Sequence, residues 1–475
     1  MPWLQIYFVT EWIIRFAMLL EVPRRRTSTA AMAWLVVVYF FPLPGLIAYL
    51  MFGANRPQKR RLRHYKELTH SMEKAREQHA LTLDSLRPEI PEELRRFSGI
   101  VERFGGMAAL GENNAELLSN PDAIIDTLIS DIDQATHHVH LMFYIFEDDS
   151  VGRRVTDALE RAVARGVSCR LLVDAMGSRK FLRQRQGALI QAGIQVYDSL
   201  PIVSIRRFFG RVDWRNHRKI AVIDGLYAYT GSRNIVEPGY GRKDSSLVWK
   251  DLMVRISGPA VISLQTVFLT DWYLESGIMV RDEECYQLES LEENIPIQVM
   301  PSGPFQSPQN YRRLVLSALY QAQERVTITT PYFVPDESML QALETAAGRG
   351  VEVNLILPKK SDQLLPGYAA RSYFDDLLEW GIGVHRYTGG LLHAKSLSVD
   401  HHLCFFGSSN FDIRSFALDY EVDLVFYGGS IAQELRELQH SYQADSEPLG
   451  MEQWAKRSYF SRLLENIAKL FSPLL

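Results

Sequence analysis

"NHRKIAVIDGLYAYTGSRN" (216–234) and "LLHAKSLSVDHHLCFFGSSN" (391–410) decide the fold between them. Counted from His217 and from His393, a lysine stands at +2, an aspartate at +7, a glycine at +14, a serine at +15 and an asparagine at +17 in both. One such pattern is weak evidence, because short spacings recur by composition. Two copies with matched offsets mark a duplicated unit. The duplication extends upstream: "ALERAVARGVSCRLLVD" (158–174) aligns without a gap on "ALETAAGRGVEVNLILP" (342–358), and "DIDQATHHVHLMFYIF" (131–146) matches "ALYQAQERVTITTPYF" (318–333) in pattern. Each copy reads as helix, Arg-Gly stop, then an apolar strand, with Gly166 and Gly350 as helix C-caps. The expectation is an α/β fold of two duplicated halves, with mixed or parallel sheets flanked by helices and a pseudo-twofold relation between the halves.

Side chains two apart on a strand face the same way, so His217 pairs with Lys219 and His393 with Lys395, while Arg218 and Ala394 face away. Asp224-Gly225 signals a hairpin that brings Ser232 and Asn234 back beside the first pair; Ser408 and Asn410 return likewise to the second. Converging halves would surround one small volume with two lysines and two asparagines, an oxyanion cradle suited to a tetrahedral phosphodiester. Two opposed histidines suit displacement at phosphorus, one attacking and one protonating the leaving alkoxide. Asp224 and Asp400 belong to the motif, but their turn positions suggest that they fix its geometry. No cluster of free carboxylates is present to hold a metal, and no Walker-type GxxxxGK occurs; neither metal nor cofactor is expected.

The paired motifs resemble those of the phospholipase D superfamily. The apolar segments near residue 1, "PYFVPDE", "GVEVNLILPKKSD", "GSSNFDIRSF" and "LFSPLL" make the chain similar to bacterial cardiolipin synthases along nearly its whole length. The resemblance implies transfer of a phosphatidyl group from one phosphatidylglycerol to the terminal hydroxyl of another, releasing glycerol. It implies a phosphohistidine intermediate, with His217 as nucleophile and His393 as acid/base. It also implies an acid downstream of each motif that orients the motif's own histidine: Asp251 for His217 and Glu421 for His393. Asp419 departs from the family's pattern, which tends to place an amide there. A phospholipase D-type hydrolase using water as acceptor is the alternative. Exchange of one phosphodiester for another is nearly isoenergetic, which agrees with the missing nucleotide motif.

Outside the repeats the chain changes character. Of its 475 residues, 52 are Lys or Arg and 56 Asp or Glu, a net charge of −4 that argues against nucleic acid as a partner. Three scattered cysteines exclude a disulfide framework. Residues 3–21 and 30–52 are apolar enough for a membrane anchor, with Glu11 and Arg15 placed to pair within the first. Two spans are the preferred reading, and a re-entrant hairpin bent at Pro42-Leu43-Pro44 is the alternative. The basic stretch Arg56 to Lys66 places the following body in the cytoplasm, in a bacterial inner-membrane protein. The resulting division is an anchor over 1–66, a helical linker over 67–110, halves over 111–290 and 291–446, and an amphipathic helix over 447–475. That last helix suits either the lipid headgroup layer or the protein core. The arginine-rich 204–215 reads as a wall of the headgroup entrance or a solvated loop, and His137, His138 and His140 as structural. The partners implied are phosphatidylglycerol and the membrane; the sequence leaves the oligomeric state open.

Overall fold

In a computed structural model of the chain, the described residues are 2–26, 28–53, 60–68, 85–105, 107–201, 213–240, 248–280, 285, 294–304 and 309–472. Most of the arginine-rich 204–215, part of the linker and the closing 473–475 lie outside them. The chain divides into two units: Met1–Glu73 with Pro201–Trp214, and Lys74–Leu200 with Arg215–Leu475.

In the first unit the helix Pro2–Arg25 carries the expected Glu11–Arg15 pair at 3.2 Å, and Arg15 Nε also donates to the Tyr39 carbonyl at 3.0 Å. Among the described residues it is the one helix long and apolar enough to cross a membrane. The second apolar stretch is not the continuous helix expected over 30–52. It breaks at Phe41 into Ser28–Phe40 and Pro42–Ala48, followed by a wide turn over Tyr49–Gly53. Pro42 opens the new helix because it has no N–H to give the preceding one. The shorter helix folds back so closely that a Cβ on Gly45 would stand 2.9 Å from the Val38 Cα. This is a hairpin, held by Ile14, Met18, Val22, Ala31, Val38 and Tyr49.

The second unit contains two sheets built on one plan. The first runs Asn114–Leu118, Met253–Ser257, Tyr227–Gly231, Ile220–Ile223, His138–Phe143, Ser168–Asp174, Gln195–Ser199. The second repeats that order with Ile297–Ser302, Glu421–Tyr427, Leu403–Gly407, Ser396–Val399, Arg325–Thr329, Glu352–Pro358 and Gly383–Tyr387, and adds a short strand at each edge. In both, the three strands linked by successive crossover helices at one end of the sheet pair in parallel and the remaining four are antiparallel, the mixed arrangement expected. The crossover helices repeat in detail. Asp149 caps Ser150–Ala164 and Asp336 caps Glu337–Gly348 through side-chain oxygens. Gly166 and Gly350 end them at φ +92° and +88°, with open space around the missing Cβ, so backbone conformation alone selects glycine there.

Three cores result. Two are outer layers of helices on each sheet. The central one joins both sheets with the helices Ala260–Ser276 and Gly429–Ala444. The stretch read as a linker contributes to the second half: Leu94, Phe97 and Val101 of Glu92–Gly105 enter its core, and Ala109–Leu110 pairs with Ile297 and Gln298. Because the central core fixes the sheets against each other, the leading ends of Ile220–Ile223 and Ser396–Val399 meet.

Candidate active site

His217-Lys219 and His393-Lys395 lie on extended chain just before the strands Ile220–Ile223 and Ser396–Val399, not within them. Each lead-in is pinned by the other half. His217 N donates to the Tyr420 carbonyl at 2.9 Å, and His393 N to the Lys250 carbonyl at 2.8 Å. Leu391-Leu392 pairs in parallel with Trp249-Lys250, and Asn216 bridges to Tyr420. These ties deliver both histidines and both lysines to one cavity of about 770 Å³, which Asn234, Ser408 and Asn410 also line.

The orienting acids correct the expected pairing. Glu421 lies 3.3 Å from Nδ1 of His217, and Asp251 lies 2.6 Å from Nδ1 of His393. Each acid serves the histidine of the opposite half, because each follows the strand residue that pins that histidine. The serines correct it too. Ser232 Oγ donates to Asp251 at 2.8 Å and Ser408 Oγ to Glu421 at 2.6 Å, so the hydroxyls hold the acids instead of the phosphate. With Nδ1 turned to a carboxylate, Nε2 is the nitrogen left to each imidazole for chemistry.

Asp224 and Asp400, read as part of the catalytic motif, sit beyond the far ends of their strands, about 23 Å of extended chain from the histidines. Both adopt left-handed backbone, φ 53° and 51°. Asp224 accepts from the amides of Thr136, His137 and His138, and Asp400 from those of Gln323, Glu324 and Arg325. Burial works against the Asp224 charge, but the three amides outweigh it and hold the carboxyl below its usual range. They lock the hairpin to the preceding helix end. His140 is engaged at both nitrogens, by Gln265 and Arg170, each at 2.8 Å, as a structural residue would be.

Charge in the cavity is unevenly distributed. Each lysine donates to its own histidine's carbonyl, at 2.5 Å for Lys219 and 2.6 Å for Lys395. Burial and the Lys219 ammonium push Lys395 down to about 7. Burial and Lys395 push His393 down to about 4, against the pull of Asp251. Burial opposes the Asp251 charge, yet His393, Arg233 and Lys395 hold that carboxyl well below its ordinary value. Asn234 Oδ1 accepts from the Ile145 amide at 3.1 Å, which fixes the side chain at the wall.

Several lining residues were not read from the motifs. Tyr144 lies against His217 and Trp249 against His393, with ring centroids 4.1 and 4.3 Å apart. Asp419 stands 3.6 Å from Nδ1 of His217 and is held by Arg414 through both oxygens, at 3.1 and 3.3 Å. His217, Asp419 and Glu421 lie within metal-ligand reach of one another. A carboxylate gripped by a guanidinium, with Lys219 beside the site, favours an anion in this cavity over a cation. Extending the repeat would have found the Trp249/Asp419 contrast, since each stands two residues before its half's acid.

Residues 128–272 and 315–441 match the family model described as cardiolipin synthase, PLD-like domain, and residues 5–53 match that of the phospholipase D-nuclease N-terminal segment. Cardiolipin synthase A of Serratia proteamaculans (strain 568) is 36% identical over 483 residues, 99% of each chain. That of Yersinia pseudotuberculosis serotype IB (strain PB1/+) is 36% identical over 485 residues, 100% of this chain and 98% of the relative. Among solved structures, a phosphatidylserine synthase of Haemophilus influenzae aligns with a TM-score of 0.58 at 16% identity, over 80% of this chain and 98% of its own. A polyphosphate kinase of Porphyromonas gingivalis aligns at 0.50 and 13% identity, over 82% of this chain and 57% of its own. These two similarities carry the fold alone.

Proposed function

The chain belongs to the family of phospholipase-D-like cardiolipin synthases, and from that premise we propose how its cavity transfers a phosphatidyl group. The protein is a phosphatidyltransferase that makes cardiolipin from membrane phospholipid. The observation that carries the mechanism is the convergence of His217, Lys219, His393 and Lys395 on one cavity, with each histidine oriented by the opposite half.

The phosphate of one phosphatidylglycerol sits between Lys219 and Lys395 against Asn234 and Asn410. Nε2 of His217 attacks phosphorus, the bond to the glycerol oxygen breaks, and the alkoxide takes a proton from Nε2 of His393. The terminal hydroxyl of a second phosphatidylglycerol then gives its proton to His393 as its oxygen attacks phosphorus. The P–N bond breaks and cardiolipin leaves. The lysines and amides are set before charge develops on the phosphoryl oxygens, which is where such groups lower a barrier. His393, neutral in the empty cavity, holds its acid proton once an anionic phosphodiester is set against the lysines.

A reversed assignment, with His393 attacking and His217 donating, is favoured by one observation: His217 faces two carboxylates and His393 one. A phosphatidyl ester of p-nitrophenol separates the two, since its leaving group needs no acid. His393→Ala should form a covalent adduct on His217 and turn over slowly, and His217→Ala should form none. Adduct on residue 393 in His217→Ala reverses the roles.

The overall reaction is tested by supplying membranes with phosphatidylglycerol alone. Cardiolipin with glycerol supports it, and phosphatidic acid indicates water as acceptor. For the anchor, a re-entrant hairpin after Pro2–Arg25 would keep Arg24, Arg25 and Arg26 on the same side of a membrane as Arg60, Arg61, Arg63 and Lys66, and the break at Pro42 supports it. By the positive-inside rule that side is the cytoplasm of a bacterial inner-membrane enzyme, with one span and a re-entrant hairpin in place of two spans.

A further inference from the structure

The helix Tyr459–Leu470 is docked by its weaker side. Its buried residues are Glu465 and Ala468. Glu465 pairs with Arg371 at 2.9 Å and Arg457 at 3.0 Å, and Ser461 accepts from Arg371 at 3.1 Å. Its bulky apolar residues face outward: Tyr459 is 82% exposed, Phe460 67% and Leu470 79%, with Leu463 and Ile467 exposed between them. At 3.6 residues per turn these five fill one sector of roughly 100°. The exposed Arg462, Asn466 and Lys469 fill the sector beside it. A helix of a water-soluble body buries its apolar stripe, and this one inverts the rule. The helix Leu364–Arg371, on which it packs, exposes a further bulky apolar residue at its first position, Leu364, 81% exposed. Gln363 and Pro366, on either side of Leu364, line the catalytic cavity.

We propose that the outward faces of Tyr459–Leu470 and Leu364–Arg371 form a docking surface for an anionic lipid bilayer, which seats the cavity rim at the lipid layer. The occupant follows from the charges. The helix's one carboxylate is buried and paired, so the charges it presents outward are Arg462 and Lys469 beside the apolar sector. Apolar bulk flanked by cations matches the acyl boundary and headgroups of an anionic leaflet. Continuity with Gln363 and Pro366 gives the surface a purpose, since a phospholipid entering there keeps its chains in the layer. That purpose rests on the reading of the substrate as a membrane phospholipid.

The full chain, reconstituted in vesicles of phosphatidylcholine and phosphatidylserine, tests the contact without turnover. A fluorophore on Leu463→Cys should be quenched by nitroxide-bearing lipids. The same fluorophore on Ile190→Cys, exposed on the helix Arg179–Gln191, should not. Equal quenching at both sites, none at 463, or cross-linking of two copies through the thiol introduced at 463 without quenching would overturn the proposal. Phe460→Asp with Leu470→Asp should raise KM for vesicle phosphatidylglycerol about tenfold or more by removing two buried apolar groups, and leave kcat/KM on a short-chain monomeric substrate unchanged. An equal loss on both substrates would overturn it as well. The quenching arm involves no reaction, so it fails or stands apart from the substrate reading.

Discussion

His217 and His393 occupy equivalent places in two sheets of the same plan, yet their surroundings differ at nearly every neighbour. His217 has Glu421 and Asp419 beside Nδ1 and Tyr144 against its ring. Among the described residues His393 has one carboxylate at Nδ1, Asp251, and Trp249 holds the sequence position, two before the acid, that Asp419 holds in the other half. Between His217 and Lys219, Arg218 is buried on Asp271 at 2.7 Å and donates to the carbonyls of Glu421 and Ser302; its counterpart is Ala394. Duplication preserved the scaffold, and substitution of a few contacts set one imidazole beside two carboxylates and buried the other more deeply beside one. A reaction that needs an attacker and a proton donor at the same moment is better served by two unlike histidines than by two alike.

The largest effect tests whether there is one site at all. His217→Ala and His393→Ala should each lower turnover by ~10⁴-fold or more, and the double variant should be hardly worse, because the pair acts as a unit. Half the activity remaining in each single variant would mean two independent sites. Next comes the acid comparison. Asp251→Asn should lower kcat ~10³-fold, since an amide in that place misorients its imidazole. Glu421→Gln should cost less, ~10–10²-fold, because Asp419 still faces the same Nδ1. Equal losses would erase the asymmetry.

How much of this was legible in the sequence follows from where the information lies. The duplicated offsets from His217 and His393 carried the two-sheet plan, because a strand–turn–strand unit has fixed local spacing. The partners of Asp251 and Glu421 did not follow. Proximity along the chain suggests each half's own histidine, and the crossing arises only when the central core sets the sheets end to end. The serines misled for a related reason: Ser232 and Ser408 sit where the chain leaves a strand, and alternation no longer tells which way a side chain turns. Pro42 and Pro44 did announce the break in the second apolar stretch, but total hydropathy hid it.

A smaller effect sharpens the assignment of roles. Asp419→Asn removes one of the two carboxylates beside Nδ1 of His217 and should lower kcat by less than about tenfold, because Glu421 remains and Arg414 already compensates part of the lost charge. If His217 attacks, adduct formation with the p-nitrophenyl ester slows in this variant. If it donates, that step is unchanged, since the leaving group needs no acid. The smallest effect is a fraction of a proton. Lys395, pushed down to about 7 in the empty cavity, is partly neutral near that pH, and a bound anion raises it. Binding of inorganic phosphate should therefore take up protons at and above about pH 7, read as a buffer-dependent calorimetric enthalpy. Lys395→Arg should reduce the uptake to the share that His393 contributes, since arginine stays charged throughout.

The crossed acids also set a clock on biosynthesis. When His217 and Lys219 emerge from the ribosome, the carboxylate that orients His217 lies 204 residues further on, in the strand Glu421–Tyr427. Asp251 is made early and waits for His393. On the proposed anchoring, a nascent chain whose first helix has entered the bilayer would carry no complete set of groups with which to cut the lipids around it. Activity arrives in one step, late, when the second sheet closes against the first.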